Sequence, residues 1–194
     1  MTRLFGILLL FLTISFLPGC GYNQMQTNEE AVKSAWGNVD AALQRRLDLI
    51  PNLVETVKGY ASHEKDTLTA VTDARSKAGQ VKLTPETLAD PQAMAAFQQA
   101  QGQMQSALSR LLAVSENYPQ LKADQNFRDL QHQLEGTENR INVARQRYNQ
   151  AVEIYNGSIR TFPNFITNSL MLHLKPKEYY KADEAAQQAP KVKF

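Results

Sequence analysis

The stretch from Phe127 to Phe162, FRDLQHQLEGTENRINVARQRYNQAVEIYNGSIRTF, decides the fold. Phe127, Leu130, Leu134, Thr137, Ile141, Ala144, Tyr148, Ala151, Tyr155, Ile159 and Phe162 recur at steps of three and four, and Val152 joins where the pattern slips by one. That spacing keeps one stripe on one face of a helix. A helix over this stretch is about 54 Å long. With such a stripe it is not stable alone in water and needs partners along its whole length. The rest of the chain has to supply them.

It does so with two further periodic regions. The first starts near Thr27 or Asn28, either able to cap, with Glu29 and Glu30 in the first turn. Its line runs through Trp36, Val39, Leu43, Arg46, Ile50, Leu53, Val57, Tyr60, Glu64, Leu68, Val71, Arg75 and Ala78. Pro51 interrupts it, and a continuous helix would bring its ring against the Leu47 carbonyl, so a kink or break is expected there. Residues 80–91 read as a linker. Asp90-Pro91 then starts a helix, Asp as cap and Pro at the first helical position. It carries Met94, Phe97, Gln101, Met104, Leu108, Leu111, Ser115 and Tyr118, flanked by small residues such as Ala93, Ala96 and Ala100, and closes at Tyr118-Pro119. The expected fold is all-α: an elongated antiparallel bundle of about four long helices with coiled-coil-like seams, over residues 27–180. Residues 165–174 are apolar and closely spaced, fitting either a short helix folded back over the bundle end or an exposed contact with membrane or partner. Residues 181–194 read as a disordered tail.

The N-terminus carries an address. Arg3 precedes an apolar run from Leu4 to Leu17, followed by Leu17-Pro18-Gly19-Cys20, which contains the chain's one cysteine. The run is shorter than the roughly 20 residues needed to span a bilayer. This is the layout of a secretory signal and resembles a bacterial lipoprotein signal over residues 1–19; acylation of Cys20 with a lipidated linker over residues 20–26 is expected, ahead of an uncleaved N-terminal anchor or ordinary cleavage. Each buried methylene contributes roughly 0.8 kcal/mol, so a diacylglycerol plus N-acyl (palmitate-type) group is a durable anchor. Gly21 rather than Asp follows the cysteine, favouring the periplasmic face of the outer membrane in a two-membrane host. A formal charge of +2 over 194 residues leaves no basic excess for nucleic acid.

Little in the chain points to catalysis. His63, His132 and His173 lie on separate segments, no second histidine follows His63-Glu64 at zinc-protease spacing, and no phosphate-binding loop or nucleophile elbow is present. No metal, cofactor or enzymatic activity is therefore expected. The oddity is charge on buried faces: Arg46, Glu64 and Arg75 in the first region, Glu138 and Arg145 in the last helix. Buried charges must be paired, which fits interhelical ion pairs that set register or a polar pocket or partner surface. Tyr148-Asn149 and Tyr155-Asn156 repeat at heptad spacing, fitting a hydrogen-bonded layer between helices or a contact strip for another protein.

Several blocks resemble the LemA family. They are Arg45-Arg46-Leu47-Asp48-Leu49-Ile50-Pro51-Asn52-Leu53-Val54, Gly59 to Glu64, Glu116 to Ala123, Glu138-Asn139-Arg140-Ile141, Tyr148-Asn149, Tyr155-Asn156, Phe162-Pro163 and Lys175 to Tyr180. The resemblance implies a helical bundle outside the cytoplasmic membrane with no established enzymatic activity. Family members are usually held by an N-terminal transmembrane helix, and this chain departs by carrying a lipobox. A protein partner in the envelope, or assembly of the chain with itself, is the expectation that follows.

Overall fold

The computed structural model describes residues 19–181. Among these residues six α-helices, two of them only five and four residues long, make up an all-α bundle: α1 Gly19–Tyr60, α2 Lys65–Gln80, α3 Pro91–Ser115, α4 Pro119–Ala123, α5 Gln125–Arg160 and α6 Asn164–Thr167. A 3-10 turn at Thr87–Ala89 and a π-helical turn at Asn168–Leu172 complete the elements. The expected signal peptide and nearly all of the expected tail lie outside the described residues.

Helices α1 and α5 run antiparallel along their full lengths. Met25 packs in one cluster with Ile159, Trp36 with Tyr148, and Val57 in a second cluster with Phe127. The second half of α1 turns back into α2, whose Val71, Ala74 and Ala78 cover Leu47, Leu53 and Val57. Helix α3 then retraces the direction of α1, placing Phe97 against Trp36 and Leu111 beside Leu53. Its start is capped as expected: the Asp90 side chain accepts from the Gln92 N–H at 2.9 Å, and Pro91 occupies the first turn, where its missing donor is harmless.

Three expectations change. Residues 20–26 are helical rather than a linker, and Thr27 and Asn28 lie inside α1. The reason is that α5 reaches Arg160 and offers Met25, fully buried, an apolar partner. Pro51 sits inside an unbroken α1. It removes the N–H that would bond the Leu47 carbonyl, but Arg75 Nε donates to that oxygen at 2.9 Å, and the proline itself is exposed. The break comes instead at Ala61–Glu64, where Ser62 and His63, weak helix formers, turn the chain. Tyr60 is accordingly 43% exposed, and Glu64 precedes α2 rather than lying on a helix. The even spacing through Tyr60, Glu64 and Leu68 belongs to two helices whose turn happens to preserve the phase.

The C-terminal part folds back at the Gly19 end. Helix α6 packs on α1 and α5 and carries the π turn, whose Leu172 packs against the first cluster, and His173, in the left-handed region at φ 51°, reverses the chain. Residues 174–180 then run back along α5 as an extended strap. Tyr180 is buried at its end, its ring edge-on to Phe97 at 6.2 Å.

Helix α5 starts on a tight knot. Asp124 Oδ1 accepts from the Phe127 N–H and Oδ2 accepts from the Tyr60 hydroxyl, both at 2.9 Å. These bonds, the backbone one first, hold its carboxyl below the usual aspartate range. A depressed folded-state pKa gives stability that is complete above the unfolded value near 3.9 and lost as pH falls through the folded one. The Asp124→Asn chain keeps an acceptor but cannot titrate. Its thermal midpoint is expected to fall less steeply with acidification below about pH 4 than that of the parent. Parallel acid limbs in a pH series of melts would reject this role.

Candidate functional site

The polar residues nominated by the sequence divide into separate groups. The first is a layer across the middle of the bundle. Arg46, 1% exposed, lies between the two apolar clusters, after Leu43 of one and before Leu47 of the other. Its Nη1 meets Glu138 Oε2 at 3.1 Å and Gln105 Oε1 at 3.3 Å, and its Nη2 donates to Gln101 Oε1 at 2.6 Å. Glu138 is likewise placed between Leu134 and Ile141, one from each cluster. Burial pulls the guanidinium below its ordinary range, and Glu138 opposes that pull. The expected interhelical pair therefore exists, but it joins three helices, with α3 contributing amides. Gln101 was legible as a polar residue on an apolar line; Gln105 was not.

Glu64 and Arg75 do not join this layer. Glu64 accepts from the Tyr118 hydroxyl at 3.0 Å, tying the α1–α2 turn to the end of α3. That bond raises the Tyr118 hydroxyl above its usual range. Arg75 serves the Leu47 carbonyl. Arg145 Nη2 donates to the Tyr180 hydroxyl at 2.9 Å, with the guanidinium carbon 4.2 Å from that ring's centre. Tyr180 was not singled out by the sequence.

The Tyr-Asn repeat binds the strap rather than another helix. Asn156 donates to the Lys177 carbonyl and accepts from the Lys177 N–H, both at 2.9 Å. Asn149 does the same with Tyr180, at 2.9 and 2.8 Å. Tyr155 donates to the Lys175 carbonyl at 3.1 Å and Tyr148 to the Glu178 carbonyl at 2.9 Å. The registers agree for a geometric reason. Seven residues of helix advance about 10.5 Å, and three residues of extended chain advance about 10 Å. Each heptad step on α5 therefore meets every third strap residue. Asn168 adds a further rung at Leu174, accepting at 2.8 Å and donating at 3.1 Å. Burial pushes both tyrosine hydroxyls well above their ordinary range, so they remain neutral donors.

None of the nine polar residues nominated by the sequence lines either of two depressions on the bundle surface. A groove of about 1200 Å³ lies between α2 and α3, over residues that include Ala70, Ala74, Gly102 and Ser106. A shallower depression of about 500 Å³ lies between α1 and α5 over Ala42 and Val143, rimmed by Arg45, Arg140 and Arg147. Among the described residues no group of three or more His, Cys, Asp or Glu is placed to hold a metal ion. No helix among them is long and apolar enough to cross a membrane. Cys20 lies in the first turn of α1.

Comparison with known proteins finds a family and several relatives. The sequence pattern described as "LemA family" matches residues 35–194. The chain is 28% identical over 181 residues to magnetosome protein MamQ 2 of Paramagnetospirillum magneticum, covering 84% of this chain and 66% of that protein. It is 27% identical over 158 residues to magnetosome protein MamQ of Magnetospirillum gryphiswaldense, covering 73% of this chain and 58% of that one. Protein LemA of Metamycoplasma hominis is 25% identical over 178 residues, covering 88% of this chain and 76% of that protein. The chain thus spans less than two thirds of the length of the magnetosome relatives it matches.

Proposed function

The chain belongs to the LemA family, and from that premise we propose that it is a membrane-tethered, non-enzymatic helical scaffold or adaptor on the extracytoplasmic side of a bacterial envelope. The tether is a diacylglycerol and N-acyl group on Cys20. In a two-membrane host the chain sits on the periplasmic face of the outer membrane. One observation carries the reading. The unusual polar residues are engaged in holding the fold: Arg46 and Glu138 on each other, Arg75 on a backbone carbonyl, Tyr148, Asn149, Tyr155 and Asn156 on the strap. Residues so engaged are not free to react, and the reading assigns the work to the outer surface of the bundle and to a protein partner that meets it.

Two measurements test this. Mass spectrometry of the chain isolated from its native membrane is expected to show an N-terminus at Cys20 with acyl mass added. An N-terminus at Met1 or Gly21 would reject the anchor. A photo-crosslinking side chain at Arg140 or Gln99, both exposed, is expected to give one discrete adduct with a different protein. A ladder of the chain's own multiples would favour a second reading, an oligomerising membrane-shaping or envelope-assembly protein. That reading draws on the open α2–α3 groove, whose floor includes the small residues Ala70, Ala74, Gly102 and Ser106, and on the magnetosome relatives. The third reading, a small ligand held at the polar seam, has no such support, because those side chains line neither depression.

A further inference from the structure

At the Gly19 end of the bundle the surface turns apolar. Phe162 is 76% exposed, Leu170 72% and Met171 65%, and Phe165, Ile166 and Tyr22 are open as well. They lie on and beside α6, the π turn and the first turn of α1. These parts are in contact: a Cβ on Gly21 would meet Asn164 Oδ1 at 2.2 Å. Several large apolar side chains left together on a protein surface mark a site that something covers.

Two facts identify what covers this one. The first is charge. Residues 19–28 and 154–177 contain no Asp or Glu, whereas Arg160 and Lys175 are exposed among them. Acidic residues resume at Glu29, which pairs with Lys177 at 3.3 Å. Apolar and aromatic side chains flanked by cations, with acids excluded, match a bilayer interface containing anionic headgroups. The second is connectivity. The apolar run Leu4–Leu17 leads directly into Gly19 and Cys20, so whichever element enters the membrane, apolar run or acyl chain, joins the bundle beside this face.

We infer that this face is a membrane-seating surface. Phe165, Ile166, Leu170 and Met171 enter the headgroup–acyl boundary of a lipid bilayer, and Arg160 and Lys175 meet lipid phosphates. The inference rests on the tether proposed above and adds to it. A tether alone confines the rod to the membrane but leaves it free to swivel, while a second contact fixes how it stands.

The test uses the full chain, processed in its host, purified in detergent and reconstituted into vesicles of phosphatidylcholine with a minority of phosphatidylglycerol. Leu170→Trp adds a reporter at an exposed position that folding does not depend on. Trp36, 3% exposed in the core, gives a constant background measured on the parent. His63→Trp, at the opposite tip, is the control. Flotation reports the tether, and quenching by bromine on the phosphatidylcholine acyl chains reports the seat. The expected result is flotation of all chains, with loss of most of the added emission for Leu170→Trp and none for His63→Trp. Flotation with neither variant quenched would overturn the seat and leave the tether standing. A blue-shifted but unquenched Leu170→Trp signal would assign the face to protein contact and overturn the seat. Failure to float would overturn both.

Discussion

Replacing Glu138 with alanine is expected to lower the free energy of unfolding by about 3 kcal/mol, read as a shift of the denaturation midpoint followed by circular dichroism. The magnitude follows from what is left behind. Arg46 stays charged and buried, with Gln101 and Gln105 as neutral acceptors, and a cation stranded by loss of its partner destabilises by several kcal/mol. Glu138 itself retains 29% side-chain exposure, which places the effect at the lower end of that range. The pair is not expected to be worth this much in its own right. Arg46→Met combined with Glu138→Leu removes both charges and is expected to unfold within about 1 kcal/mol of the parent, because desolvating two ions offsets most of their attraction. A midpoint unchanged in Glu138→Ala would reject the pairing. The layer lies between two apolar clusters, so a slide of one helix past another would bury Arg46 against carbon.

Removing both strap clamps has a comparable effect on a different process. In the doubly substituted Asn149→Ala, Asn156→Ala chain four bonds to the strap backbone disappear. At about 1 kcal/mol net each, docking of residues 174–180 weakens by about 4 kcal/mol. The freed strap amides can return to water, so the bundle is expected to melt nearly as before while the strap opens. Hydrogen exchange at the Lys177 and Tyr180 amides is expected to accelerate by about three orders of magnitude in the double variant. Tyr148→Phe, which deletes a single bond to Glu178, should move it by about one order. Unchanged protection at both amides would show that Tyr180 burial alone holds the strap.

The long helices were legible because their apolar stripes repeat over many turns. The stretch around Ile141 and Tyr148 has no other stable solution, and Asp90-Pro91 announced its helix directly. What was not legible depends on parts of the chain distant in sequence. Pro51 alone predicts a kink or a break, and the helix is not broken there. Only Arg75, folded back from the next helix, supplies the donor that lets α1 continue. Met25 extends the helix because Ile159 is there to meet it. The candidate polar residues were found by their positions on or beside apolar lines, yet apart from Arg46 and Glu138, which meet each other, their partners were not. Asn149 and Asn156 bond backbone groups, and backbone groups leave no trace in residue identity. The heptad spacing announced a ladder but not that its other rail was the chain's own C-terminal segment. Tyr180 belonged to a block that resembles the family, but its role was hidden for the same reason: it lies outside any periodic run and acquires its surroundings from Phe97 and Arg145.

The unbroken passage of α1 through Pro51 sets a stand-off distance. With 42 residues in one helix, the Ala61–Glu64 tip lies about 60 Å from Gly19. A chain seated at its Gly19 end therefore carries that tip, together with the Tyr118 and Asp124 corners beside it, well clear of lipid headgroups and of anything lying flat upon them. Binding partners that engage the tip must themselves project to that height or hang from an opposing layer, and partners confined close to the bilayer can reach only the lower half, around Trp36 and the strap.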